Sequence, residues 1–126
     1  MATQSRVAND LVTVEEFCDR VPDGQKADLI DGVIHMASPE STSANNLVGF
    51  VYRLLQDFLE TRATGGQVFF SRVACRLNKY NAPEPDVMYI GPERVSQVED
   101  GGVRGAPDIA VEVVARESRH RAEGWA

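Results

Sequence analysis

Two apolar runs in this chain are each led by a proline and an acid: Pro85-Asp86 opens into "VMYI", and Pro107-Asp108 into "IAVEVV". Both are rich in β-branched and aromatic residues and read as buried strands. A carboxylate therefore stands at the mouth of each, and Glu112 stands inside the second. Side chains alternate along a strand, so Asp108, Ala110, Glu112 and Val114 share one face while Ile109, Val111 and Val113 share the other. An unpaired carboxylate in apolar surroundings is costly or shifts its pKa upward, so it calls for a paired base, hydrogen bonds or a metal.

Neighbouring strands lie about 4.8 Å apart, which lets Asp86 and Glu112 direct oxygens toward one hard cation, with ligand distances of about 2.1 Å for magnesium. The alternative involves no chemistry: Asp86 ends a turn after Pro85, and Glu112 pairs with an arginine such as Arg72 or Arg76. Asp108 lies roughly 13 Å from Glu112 along an extended strand, too far for one ion to bridge, and reads as a turn residue after Pro107.

Elsewhere the local signals are plain. Thr13 with Glu16 three residues later forms a capping box, which predicts a short helix through about Cys18. Asp31-Gly32 between apolar pairs supplies the positive φ angles of a tight turn and predicts a hairpin from Lys26 to Ala37. After "SPESTS", Leu47, Val48, Phe50, Val51, Leu54, Leu55, Phe58 and Leu59 recur at helical spacing and predict a helix whose apolar stripe is core. Gly65-Gly66 stops it. "QVFFSRVACRL" reads as one long strand.

The chain has 126 residues, 43% hydrophobic and 25% charged, as expected for one globular domain over 1–126 with flexible ends at 1–10 and 116–126. Thirteen basic residues against nineteen acidic ones, a net charge of -6, exclude a broad basic face, so any nucleic-acid contact is local. Cys18 and Cys75 read as core thiols in a reducing compartment. No apolar stretch approaches the roughly 18 residues that span a bilayer, and the N-terminus lacks a signal-peptide core. The expected location is cytoplasmic, with no membrane contact.

Three segments in order, "ADLIDGVIHMASPES", "PEPDVMYI" and "GAPDIAVEVV", resemble the Uma-two family of restriction-endonuclease-like proteins within the PD-(D/E)XK nuclease superfamily. The likeness runs from about Thr13 to Arg121. It implies an α/β, restriction-endonuclease-like fold, a mixed β-sheet flanked by helices with the acids at one end, incomplete at the C-terminus. Asp86 matches the aspartate of the family's PD motif and Glu112 the glutamate of its "EV" motif, which implies that both are catalytic metal ligands. Asp28, the third implied catalytic acid, falls where the family commonly has glutamate, before "LIDG". Asp31 matches too, but the hairpin turn explains it. The implied activity is hydrolysis of DNA phosphodiesters with magnesium, or manganese in its place, the cation polarising the phosphoryl group.

The family normally adds a lysine that orients the attacking water. Here Val114 occupies the second position after Glu112, only Lys26 and Lys79 occur in the chain, and "VARESRHRAEGWA" holds no lysine-bearing helix. The family's further Tyr-Trp strand is not found, and Ala44 and Asn45 stand near its usual histidine. These departures imply a shortened member whose uncovered sheet favours a homo-oligomer. They also leave open a non-catalytic binding or assembly domain that keeps the nuclease fold. Arg116, Arg119, His120 and Arg121 read as a solvated tail or a small phosphate-binding patch, and Trp125 either docks on the sheet or hangs free.

Overall fold

A computed structural model describes residues 10–62, 65–71 and 73–114. The proposed tail patch and Trp125 lie outside them. Helix α1, Val14–Arg20, begins at the expected capping box: the Glu16 amide donates to Thr13 Oγ1 at 3.2 Å, and the Thr13 amide donates to Glu16 Oε1 at 3.1 Å. Val14 and Phe17 are buried against Leu29 and Ala82. Cys18, expected in the core, is exposed, because it lies about 100° around the helix from Phe17. Cys75 is buried, and burial pushes its thiol up to about 11.

Strands β1, Ala27–Ile30, and β2, Val33–Met36, form the expected hairpin. Ile30 stands opposite Val33, leaving Asp31 at φ 49° and Gly32 at φ 78° as a two-residue turn. Two successive positive φ angles give the turn the twist that antiparallel strands need. The Gly32 amide donates to the Tyr80 carbonyl at 2.9 Å, which ties the turn to the following chain.

Helix α2, Thr42–Arg62, corrects the expectation that its whole apolar stripe is core. Val48, Val51, Tyr52, Leu55 and Leu59 pack toward the sheet. Leu47, Phe50, Leu54 and Phe58 are exposed. At about 100° per residue, the expected stripe and Tyr52 span an arc of about 200°, of which the sheet covers only half.

The stretch 67–77, expected as one strand, divides into β3, Gln67–Phe70, and β4, Cys75–Arg76. Ser71 between them takes φ 60°, and its amide donates to the Asp86 carbonyl at 3.0 Å. The left-handed residue turns the chain out of one sheet and into another. Beyond β5, Val87–Ile90, come a 3-10 helix, Pro92–Gln97, and strands β6, Val98–Glu99, and β7, Gly102–Arg104. The last strand, β8, is Ile109–Val111.

Among the described residues the strands form three small sheets rather than one: β1-β2, β3-β5-β8 and β4-β7-β6. Among the described residues only β4 and β7 run parallel. Strand β5 is the common wall. Val87 and Tyr89 face the cluster under α2, while Met88 and Ile90 join Cys75 and Val103 on the other side. Burial on both faces explains why "VMYI" has no polar alternation. Among the described residues no helix is long and apolar enough to cross a membrane.

A Cβ at position 32 would stand 2.9 Å from Leu11 Cβ and would also meet the positive φ. Gly32→Ala is therefore expected to destabilise the protein by about 1–3 kcal/mol, measured as a lower midpoint in urea unfolding.

Candidate functional site: an acidic cleft at the mouth of β5

Strands β5 and β8 are antiparallel, with Val87 opposite Val111. One step further the same register sets Asp86 opposite Glu112, which is how two acids far apart in sequence come to face each other. Glu112 lies just past the end of β8, which is shorter than the sequence suggested. Asp86 is 6% exposed. One of its carboxylate oxygens, Oδ1, accepts from the Lys26 ammonium, and the other, Oδ2, accepts from the Val113 amide at 2.7 Å. A buried carboxylate is tenable only with such partners.

Lys26 sits immediately before β1, so the hairpin carries it to the acids. Glu84 makes the connection firm: its Oε1 accepts from the Ala27 amide at 3.0 Å, while its own amide donates to Asp28 Oδ1 at 2.6 Å. This reciprocal clamp zips β1 to the chain leading into Asp86. Asp28 thus lines the same cleft, but one of its oxygens is spent on positioning backbone.

Asp31 stays in the hairpin turn, where its amide donates to Asn81 Oδ1 at 2.9 Å. Asp108 accepts from the Gly91 amide at 2.6 Å and from Arg94 Nε at 3.1 Å. It anchors the start of the 3-10 helix and is no part of the acid pair. Arg76, one suggested partner for Glu112, pairs instead with Glu99 at 3.6 Å. Arg72 lies outside the described residues.

Two residues that build this site, Lys26 in the cleft and Glu84 behind it, carried no weight in the sequence. Lys26 is one of two lysines in the chain and stands two positions before Asp28, on the same face of an extended strand. That spacing was its available signal. Glu84 lies between two prolines in "PEPD", and only the fold reveals its amide partners.

The electrostatics follow from the crowding. Burial, then the negative charge of Asp86, pushes the Glu112 carboxyl up to about 7; Lys26 pulls it back, while Asp28 adds to the rise. The Glu112 residue as a whole remains exposed at the edge of the cleft. For Lys26, burial works to lower the pKa, but the hydrogen bond and charge of Asp86, followed by the charges of Glu112 and Asp28, outweigh it and hold the ammonium above its ordinary range. The four groups line an open cleft of about 830 Å³, which also takes Ser41 and Asn45 from the start of α2.

Among the described residues no group of three or more His, Cys, Asp or Glu could hold a metal ion. A cation here would draw on Asp86 and Glu112 alone. That donor set fits magnesium, which usually binds through one or two carboxylates and fills its shell with water and phosphate oxygens. Each Asp86 oxygen keeps a lone pair beyond the hydrogen bond it accepts, and the cleft is open to solvent and substrate.

The Uma2 family model, described as "Putative restriction endonuclease", matches residues 14–124. No curated protein shows a significant match. The fold is similar to that of a crystal structure from Anabaena variabilis, described as "a putative nuclease belonging to DUF820", with a TM-score of 0.68 and 15% identity. The likeness covers 90% of this chain and 64% of that one, so the chain spans less than two-thirds of that protein's length. At this identity the likeness establishes the shared α/β restriction-endonuclease-like fold alone.

The raised Glu112 pKa has a signed consequence. Its folded value, about 7, exceeds the ordinary 4.5, so its contribution to stability is fully present below about 4.5 and is lost as pH rises through about 7. Glu112→Gln removes that loss. The melting temperature of Glu112→Gln is expected to gain on the native protein between about pH 5 and about pH 8 in metal-free buffer, measured by thermal unfolding across the range.

Proposed function

The chain belongs to the Uma2 family, and on that premise we propose that it hydrolyses DNA phosphodiester bonds in the cleft between Asp86 and Glu112, with magnesium or manganese as cofactor. The observation that carries this reading is the cross-strand pair of acids, one held by Lys26 and Val113 and the other pushed toward neutrality by burial and by its neighbour. Asp28, Asp86 and Glu112 share the cleft with the single ammonium of Lys26, and a divalent cation offsets the remaining negative charge. When bound, the cation supplies Lewis-acid polarisation of a phosphoryl oxygen.

The protein's own groups do the positioning. The Val113 amide and Lys26 fix the Asp86 carboxylate, so its free lone pairs keep one direction. Asp28 acts through the Glu84 amide, holding β1 and the chain before β5 in step. The cleft is open enough to admit a backbone phosphate. Its acidic walls and the net charge of -6 make the DNA contact local and dependent on the cofactor's charge.

The expected outcome is nicking or linearisation of plasmid DNA in magnesium or manganese, abolished by chelator. Asp86→Asn and Glu112→Gln each lower the rate by at least about 100-fold, with unchanged circular dichroism. Asp28→Asn, which disturbs a positioning bond, costs on the order of tenfold. Folded native protein that cuts no DNA with either metal would remove the reading.

A further inference from the structure

The chain has two lysines, and they occupy unlike places. Lys79 is exposed, with its ammonium 5.4 Å from the Tyr80 ring centroid. Lys26 is drawn into the acidic cleft, its side chain 24% exposed. Its backbone is fixed on both sides: its carbonyl accepts from Gln25 Nε2 at 2.9 Å and from the Ala37 amide at 3.0 Å, and the next amide, of Ala27, donates to Glu84. A long, flexible side chain is thus held at its root by the hairpin and at its tip by Asp86. Its stem is largely buried, so little of its rotamer freedom remains to be lost when substrate arrives.

An ammonium has three N–H donors and can point them at several acceptors at once. Among the described residues Asp86 is its one side-chain hydrogen-bond partner, which takes one donor. The others are available to oxygens that enter the cleft beside Asp86 and Glu112. A water or a phosphate oxygen there meets a fixed positive charge that is already paid for by the fold.

Resting on the nuclease reading, we propose that Lys26 is the catalytic lysine of this site, delivered from the lead-in to β1, two residues before Asp28, rather than from the segment that carries Glu112. It holds the attacking water and a nonbridging phosphate oxygen through its free N–H groups. The water oxygen forms the new bond to phosphorus as the bond from phosphorus to the leaving sugar oxygen breaks. The water's proton passes to solvent, and the leaving oxygen takes a proton from solvent. Lys26 remains an ammonium throughout and stabilises charge that grows on the phosphate.

The test compares Lys26→Gln, Lys26→Arg and Lys26→Cys, the last in a Cys18→Ser background and alkylated with 2-bromoethylamine to restore an ammonium of nearly the same reach. Cys75 is buried and resists the reagent. Lys26→Gln is expected to lower kcat on DNA at least about 100-fold while KM stays within about threefold. Lys26→Arg keeps the ion pair with Asp86 and a native melting temperature, yet loses kcat, because a planar guanidinium presents its donors differently. Alkylation of the cysteine variant recovers kcat.

A lysine that merely neutralises Asp86 gives the opposite pattern: full activity in Lys26→Arg, and in Lys26→Gln a lower melting temperature with kcat within about threefold of native. Either result would overturn the proposal, as would folded, alkylated protein no more active than its unmodified parent. Should Lys26→Gln fail to fold, the arginine and alkylated proteins decide, since both keep a positive charge beside Asp86. Native protein without DNA cleavage would overturn this proposal together with the nuclease reading, whereas active native protein with active Lys26 variants would overturn this one alone.

Discussion

The contact between the Asp86 carboxylate and the Lys26 ammonium is the constraint around which the molecule is arranged. Both groups are mostly removed from water, and truncating one partner of such a pair leaves an uncompensated charge, at a cost of about 3–5 kcal/mol. A buried ion pair, however, is no great source of net stability, because an apolar pair of similar size often does as well. Its presence here therefore speaks for the site more than for the fold. It also joins two units with separate cores: the hairpin and α1 on one side, and the α2-covered sheet on the other.

The acids owe their meeting to sheet register rather than to any loop. With Val87 against Val111, the next pair in line is Asp86 and Glu112. A slip by one residue would turn every side chain to the other face and separate them. The hydrophobic packing of Val87 and Val111 under α2 thus does two things at once. It closes a core, and it aims two carboxylates into one cleft.

How much of this could be read from the sequence depended on how local each cause was. Thr13 with Glu16, and Asp31 with Gly32, act within a few residues, and both appear where the pattern put them. The acid pair was legible because alternation and strand spacing are properties of any sheet. Ser71 was not: neither glycine nor proline marks the break, and its left-handed backbone is stabilised by a bond to Asp86, fifteen residues away. The two faces of α2 show a different limit, since periodicity reveals how wide an apolar arc is but not how much of it the sheet covers. Lys26 was hidden by distance, being sixty residues from its partner.

Strand β5 is enclosed on both sides, with α2 over Val87 and the Cys75–Val103 cluster under Met88 and Ile90. Its four residues therefore have almost no latitude in volume. A surface helix can drift in composition while keeping its role, but a swollen or shrunken side chain in "VMYI" displaces the strand along its length and carries the carboxylate at its tip with it. The geometry of the cleft is in this sense calibrated by the bulk of residues that never touch it.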